Sequence, residues 1–271
     1  MRAVKKILAS SFLAAVSVAA FALPAYADEI TCTGALGPVV VEDDLVVPEG
    51  QECALEGTTV EGNVLVEPQA ELLADRASVA GNVEAREDAY VDLFDSDVAG
   101  NVKLEESLGL STQEGELGGN VQSVGTEFID LFETPIDGDV QVEERTAFSA
   151  EFMRVNGSFE AKDVEFFDLY DSTVDGNFKV EGAREGSLYC GNTFDGNADF
   201  LKNATLLQIG GEAECDGNNV KGNVKVEGNR AETTVANNTI GGNLSCFGNT
   251  PPPLGGGNRV GGNKEGQCRA L

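Results

Sequence analysis

The sequence predicts an all-β protein: a single-stranded, right-handed parallel β-helix, or solenoid, of about twelve coils of 19–20 residues. Three observations predict it. A short motif built on Gly-Asn returns at a nearly constant interval, apolar residues two apart recur at fixed places within each interval, and six cysteines fall at matching phases of consecutive intervals. Self-similarity at a period near 20 marks repeat architectures, in which each unit buries its apolar row only against its neighbours.

The motif is an aliphatic residue, any residue, Gly, Asn and a second aliphatic residue. It first occurs in full as Val60-Glu61-Gly62-Asn63-Val64 and restarts at Val79, Val98, Leu117, Ile136, Val155, Val174, Phe194, Val220, Ile240 and Val260, with a degenerate copy at Val41. The intervals are 19 seven times, then 20, 26, 20 and 20. Nine copies carry Gly-Asn, while Gly138-Asp139, Gly157-Ser158 and Asp43-Asp44 are variants. The dipeptide is expected at a tight corner, because Gly adopts left-handed backbone angles freely and Asn tolerates them. Late copies add Asn192, Asn218, Asn238 and Asn258, each two residues before the motif, where stacked amides can bond from coil to coil.

With the first motif residue as row zero, that row is apolar in all twelve copies, and row four is apolar in every copy but the last, which has Lys264. Rows twelve and fourteen supply pairs such as Val91 and Leu93, Ile129 and Leu131, and Phe167 and Leu169. Inward residues two apart follow the period of a strand, so each copy holds about three short strands. Coils stacked at ~4.8 Å would make a rod of roughly 58 Å. A leucine-rich horseshoe shares this period, but no copy carries its Leu-rich signature with a helical return.

Six cysteines permit 15 pairings. The register narrows them, because Cys32 with Cys53, Cys190 with Cys215, and Cys246 with Cys268 each hold nearly the same phase in adjacent coils. Adjacent coils bring Cα atoms to ~5 Å, within the range of an unstrained disulfide. Two bridges would pin the terminal coils, which have one neighbour each, and the third would close the coil with the 26-residue interval. Each is worth roughly 3 kcal/mol in the chain-entropy description.

Residues 1–27 read as a secretory signal peptide and 28–271 as the β-helix repeat domain. Arg2, Lys5 and Lys6 precede an apolar run from Ile7 to Leu23, and Ala25-Tyr26-Ala27 forms a small-residue cleavage site. Export agrees with a disulfide framework, so the expected location is extracellular or the cell envelope, with no membrane span in the mature chain. The chain has 18 basic and 46 acidic groups and no His, a formal charge of −28. Cleavage would remove three basic groups and no acid, leaving 15 against 46, or −31. Such a surface repels phosphate, which argues against nucleic-acid partners, and it attracts divalent cations diffusely. The lack of His removes mechanisms that need a His base or His-ligated metal. Neither a calcium-loop motif nor a redox Cys-x-x-Cys occurs, and no cofactor is expected.

The outward positions carry one pattern. Row thirteen reads Asp92, Ser111, Asp130, Ser149, Asp168, Ser187, and row fifteen places Phe94, Phe132 and Tyr170 on the same alternate coils as the acids. Asp92, Phe94, Asp130, Phe132, Asp168 and Tyr170 therefore form a candidate binding strip with a step of about 9.6 Å, suited to a repetitive partner such as a cell-wall glycan or an envelope protein. Alternation also relieves repulsion between stacked acids. No convergent catalytic residues emerge, so a non-enzymatic structural or binding role, adhesion-like, is expected. A carbohydrate-active β-helix enzyme, a polysaccharide hydrolase or lyase, is the alternative, since paired carboxylates suffice for glycoside hydrolysis. Pro251-Pro252-Pro253 reads as a surface turn before the last coil.

The Val-x-Gly-Asn repeats, with the segment from Pro251 to Asn263, Cys246 and Cys268, resemble a group of secreted bacterial repeat proteins, mostly actinobacterial, of uncharacterised function. The likeness spans about residues 32 to 268 and implies export and a β-helix, with no catalytic residue carried over. The chain is also distantly similar to bactofilins, whose stacked β-helices polymerise end to end; it departs from them in its export signal and its cysteine pairs.

Overall fold

A computed structural model describes residues 29–211 and 215–271. The signal reading of residues 1–27 lies outside the described residues. The described chain winds into a three-faced parallel β-solenoid of about twelve turns. The first face has thirteen strands, from Glu29–Thr31 and Asp44–Val47 through Val64–Val66 to Lys264–Gly266. The second has twelve, from Gly34–Leu36 and Glu52–Glu56 to Leu254–Gly256. The third consists of two-residue strands such as Thr59–Val60 and Ser78–Val79, in groups of four and seven. Single bridges from Val98 to Leu117 and from Leu117 to Ile136 join the two groups.

Row zero and row four stack as the repeat requires. Val60 pairs with Val79 on the third face, and Val64, Val83, Val102, Val121 and Val140 pair in sequence on the first. Alternate residues of each strand point inward, as in the pattern of Glu71–Asp75, whose second and fourth residues, Leu72 and Ala74, are buried. Each coil thus shares its apolar lining with the coils on either side. Aliphatic residues fill the early coils, and rings fill a central segment. Phe148, Phe159, Phe167, Phe178, Tyr189, Phe194 and Phe200 are fully buried, with Phe148 and Phe167 stacked at 4.5 Å between centroids. Burial drives the pKa of the Tyr189 hydroxyl far upward, opposed by a hydrogen bond with Ser187.

All three disulfides form as the register requires. Cys32 joins Cys53, Cys190 joins Cys215 and Cys246 joins Cys268, with Cα separations of 5.6, 4.8 and 5.2 Å. The bridge at Cys215 ties down the inserted corner of the long coil, where the Gly191 N–H also donates to the Asp216 carbonyl at 2.9 Å. Pro251 and Pro252 are exposed in the turn before Leu254–Gly256, and Pro253 is buried.

Two expectations are corrected. The motif glycines do not take left-handed angles: the positive-φ residues lie at the other corners, for example Gly57, Arg76, Asp95, Glu114 and Glu133. The motif corner needs Gly because successive coils nearly touch there. A Cβ on Gly81 would sit 2.4 Å from the Gly62 carbonyl oxygen, and one on Gly100 the same distance from that of Gly81. The residue after Gly needs an acceptor oxygen rather than special angles. The Asn82 N–H donates to Asn63 Oδ1 at 2.9 Å, and the chain of bonds continues through the variants, with Ser158 N–H on Asp139 Oδ1 at 2.7 Å and Asn177 N–H on Ser158 Oγ at 3.2 Å. The second correction concerns Ser187, which is buried rather than outward. Its own coil gains one residue between Glu181 and Ser187, so Ser187 pairs with Phe167 and Leu188 takes the position opposite Asp168.

The inner Asn ladder forms. Asn192 Nδ2 donates to Asn218 Oδ1, Asn218 Nδ2 to Asn238 Oδ1, and Asn238 Nδ2 to Asn258 Oδ1, each at 3.0 Å. A second inner ladder, not read from the sequence, runs through Asn203, Asn229, Asn249 and Gln267 at another corner. Its signal was a repeated Asn nine residues after the motif start, with Gly228 and Gly248 before two of its members.

Candidate functional site

The second face places every residue of the predicted strip on one sheet surface. Pairing aligns Asp92, Ser111, Asp130, Ser149 and Asp168 in one outward column, and Phe94, Gln113, Phe132, Glu151 and Tyr170 in another. Phe94 and Asp130 are exposed, whereas Asp92, Phe132, Asp168 and Tyr170 are half-buried. The strands that carry them, Tyr90–Phe94, Gly109–Gln113, Phe128–Phe132, Ala147–Glu151 and Phe166–Tyr170, are each five residues long. Each therefore presents three outward positions around two buried ones.

A third column completes the surface: Tyr90, Gly109, Phe128, Ala147 and Phe166. It also alternates ring with small residue, and the sequence reading missed it because Phe166 adjoins the inward Phe167 and looks like part of the apolar core. Row eleven alternates in the same two-coil period as rows thirteen and fifteen, which is the signal that could have found it. On alternate coils the face thus repeats ring, carboxylate, ring. Tyr90 and Phe128 reach one another across the intervening coil, with centroids 5.9 Å apart. Phe132 meets the exposed corner residue Phe152 edge-on at 5.9 Å. Beside Phe128 an open groove of about 460 Å³ is lined by Gly125, Thr126, Glu127, Phe128, Arg145 and Glu165.

Burial changes two of the acids. Burial pushes the pKa of Asp92 up, opposed by a hydrogen bond from Ser111. Burial raises that of Asp168 too, opposed by the Leu188 N–H, which donates to Asp168 Oδ1 at 3.1 Å. Tyr90 and Tyr170 are raised by burial first and then by Asp92 and Asp168 respectively. Among the described residues, none of Asp92, Asp130 and Asp168 takes part in an ion pair. The lysines concentrate on the first face, where Lys103 pairs with Glu105, Lys179 with Glu160 and Lys225 with Glu227.

Ring faces beside carboxylates can stack on the apolar faces of sugars, accept hydrogen bonds from hydroxyls, and attract cations. Among the described residues, no group of three or more Cys, Asp or Glu side chains is gathered for a metal ion, and no helix is long and apolar enough to cross a membrane.

Fold and face together define a disulfide-stapled parallel β-solenoid with an aromatic and acidic outer sheet. No protein-family model, curated protein or solved structure matches the chain.

Proposed function

We propose that this protein is a secreted or envelope-associated, non-enzymatic binding protein whose second face is a flat platform for a cell-wall glycan laid along the solenoid axis. The observation that carries this reading is the repetition of ring, carboxylate and ring on alternate coils, from Tyr90, Asp92 and Phe94 through Phe128, Asp130 and Phe132 to Phe166, Asp168 and Tyr170. Identical groups repeated along a line suit a polymer that offers the same chemistry repeatedly. Catalysis needs different groups converging on one bond. Parallel sheets suit such a platform, since the backbone is held on both sides and the rings are pre-positioned at little entropic cost. Three disulfides agree with an oxidising compartment.

The test is a glycan and peptidoglycan binding screen with a reducing-sugar assay in the same wells, run with the protein and with a variant carrying Phe94→Ser, Phe132→Ser and Tyr170→Ser. Retention without release of reducing ends, lost in the variant, is the expected result. Turnover would replace this reading with a carbohydrate-active enzyme, and equal retention by the variant would remove the face from the mechanism.

A further inference from the structure

The second face has a charge of one sign only. From Glu71–Asp75 to Phe166–Tyr170, the outward positions of its strands hold Glu71, Asp75, Asp92, Asp130, Glu151 and Asp168, and no Lys or Arg. This is not a general shortage of cations. The neighbouring first face carries Lys103, Lys179 and Lys225, each within 3.3 Å of a carboxylate on its own strand or the next. Glu105, Glu160, Glu181 and Glu227 on that face are paired with these lysines, and on the second face Asp75 is paired with the corner residue Arg76, whereas among the described residues Asp92, Asp130 and Asp168 have no cationic partner.

Resting on the glycan reading above, we infer that the ligand of the second face is a linear amino-sugar polymer with free ammonium groups, seated with its charges over the Asp92, Asp130 and Asp168 column and its sugar rings over the flanking aromatic columns. The argument has three parts. A carboxylate flanked by ring faces favours a cation twice over, through direct charge pairing and through the negative face of each ring. Asp92 and Asp168, half-buried, gain more from a counter-charge than fully hydrated acids would, since burial reduces screening by water. The net charge of the chain, −28 before any processing, repels anionic glycans at distances up to a Debye length, so an anionic polymer would bind against the field and a cationic one with it.

The spacing fits the same occupant. In a β-1,4-linked chain each sugar is turned over relative to the last, so ammonium groups on every second sugar face the same way. The acids likewise occupy every second coil, with Ser111 and Ser149 between them. A two-coil step of about 9.6 Å follows from the strand spacing.

The experiment titrates the full protein by calorimetry with three probes at mildly acidic pH, where sugar amines are charged: a β-1,4-linked glucosamine hexamer, the N-acetylglucosamine hexamer and hexalysine. The expected result is that the glucosamine hexamer binds at least about tenfold tighter than its acetylated counterpart, and that added salt narrows the difference. A variant with Asp92→Asn, Asp130→Asn and Asp168→Asn should lose the preference and its salt dependence, and the single change Asp130→Asn, at an exposed position, should reduce it. Equal binding of the two sugars overturns this inference and leaves the glycan reading standing. Binding of neither sugar overturns both. Tighter binding of hexalysine than of the glucosamine hexamer overturns it in favour of a basic protein partner.

Discussion

The ring of Phe128 lies over Gly109 of the preceding coil: a Cβ on Gly109 would come within 2.5 Å of two of its ring carbons. Gly109 is consequently buried although its strand position faces outward, and the ring reaches on to Tyr90 beyond it. The alternation of ring and small residue in this column is therefore a packing requirement, since the ring needs an empty position to lie in. Replacing Gly109→Val should lift the ring and cost about 1–3 kcal/mol, read as a lower urea midpoint. The double change Gly109→Val with Phe128→Ala removes the clash and should recover part of the loss. No recovery would mean that the glycine is needed for some other reason.

The motif corner makes a stricter demand, because the obstructing atoms are backbone. Gly100→Ala would press a methyl group against the Gly81 carbonyl oxygen, 2.4 Å from the ideal Cβ position. Neither coil can yield without breaking its strand pairing, so the cost should reach the upper end of the overpacking range, about 3 kcal/mol. Gly37→Ala is the control, since nothing lies within 4 Å of a Cβ there, and its thermal midpoint should stay near that of the parent.

The inner ladders carry hydrogen bonds that the core cannot replace. Asn218 accepts from Asn192 through Oδ1 and donates from Nδ2 to the Tyr189 carbonyl and to Asn238 Oδ1. Asn218→Leu leaves several buried polar groups without partners, at about 1–3 kcal/mol for each. A loss of at least about 3 kcal/mol is expected in chemical denaturation. A loss below about 1 kcal/mol would show that water or a shifted coil takes over these bonds.

Asp168 makes stability depend on pH in a definite sense. Its pKa is raised in the folded protein because burial disfavours the carboxylate, so folding favours the protonated form. The group costs nothing below its ordinary value of 3.8 and becomes unfavourable as pH rises through the folded-state value. Asp168→Asn keeps an oxygen to accept from the Leu188 N–H and removes the charge. The variant should melt at a higher temperature than the parent near neutral pH, with the difference vanishing as pH falls below that ordinary value. A difference that is constant with pH would exclude this origin.

Much of this molecule is legible in its sequence, for a physical reason particular to repeats. In a solenoid, phase within the repeat is position in space, so residues of equal phase are neighbours. That is why Cys190 could be assigned to Cys215 across an irregular interval of 26 residues, and why Asp92, Asp130 and Asp168 could be placed in one column. The phase argument failed at Ser187, where one added residue exchanges the inward and outward sides without disturbing the apolar character of the strand. It passed over Tyr90, Phe128 and Phe166, because an aromatic residue reads as core whichever way it points.

By itself, then, the sequence determined the periodicity, the three strands per coil, the inward rows and the cysteine partners, all of which follow from counting along the chain. The tertiary structure decided what depends on the gap between coils. It decided that the motif glycine is required by a backbone contact with Gly81 or its equivalents and not by its own torsion angles, that Phe128 covers Gly109, and that, among the described residues, Asp92, Asp130 and Asp168 have no cation paired with them while Asp75 of the same face has Arg76. Each of these is a distance between stacked coils, and a one-dimensional pattern carries phase but no distance.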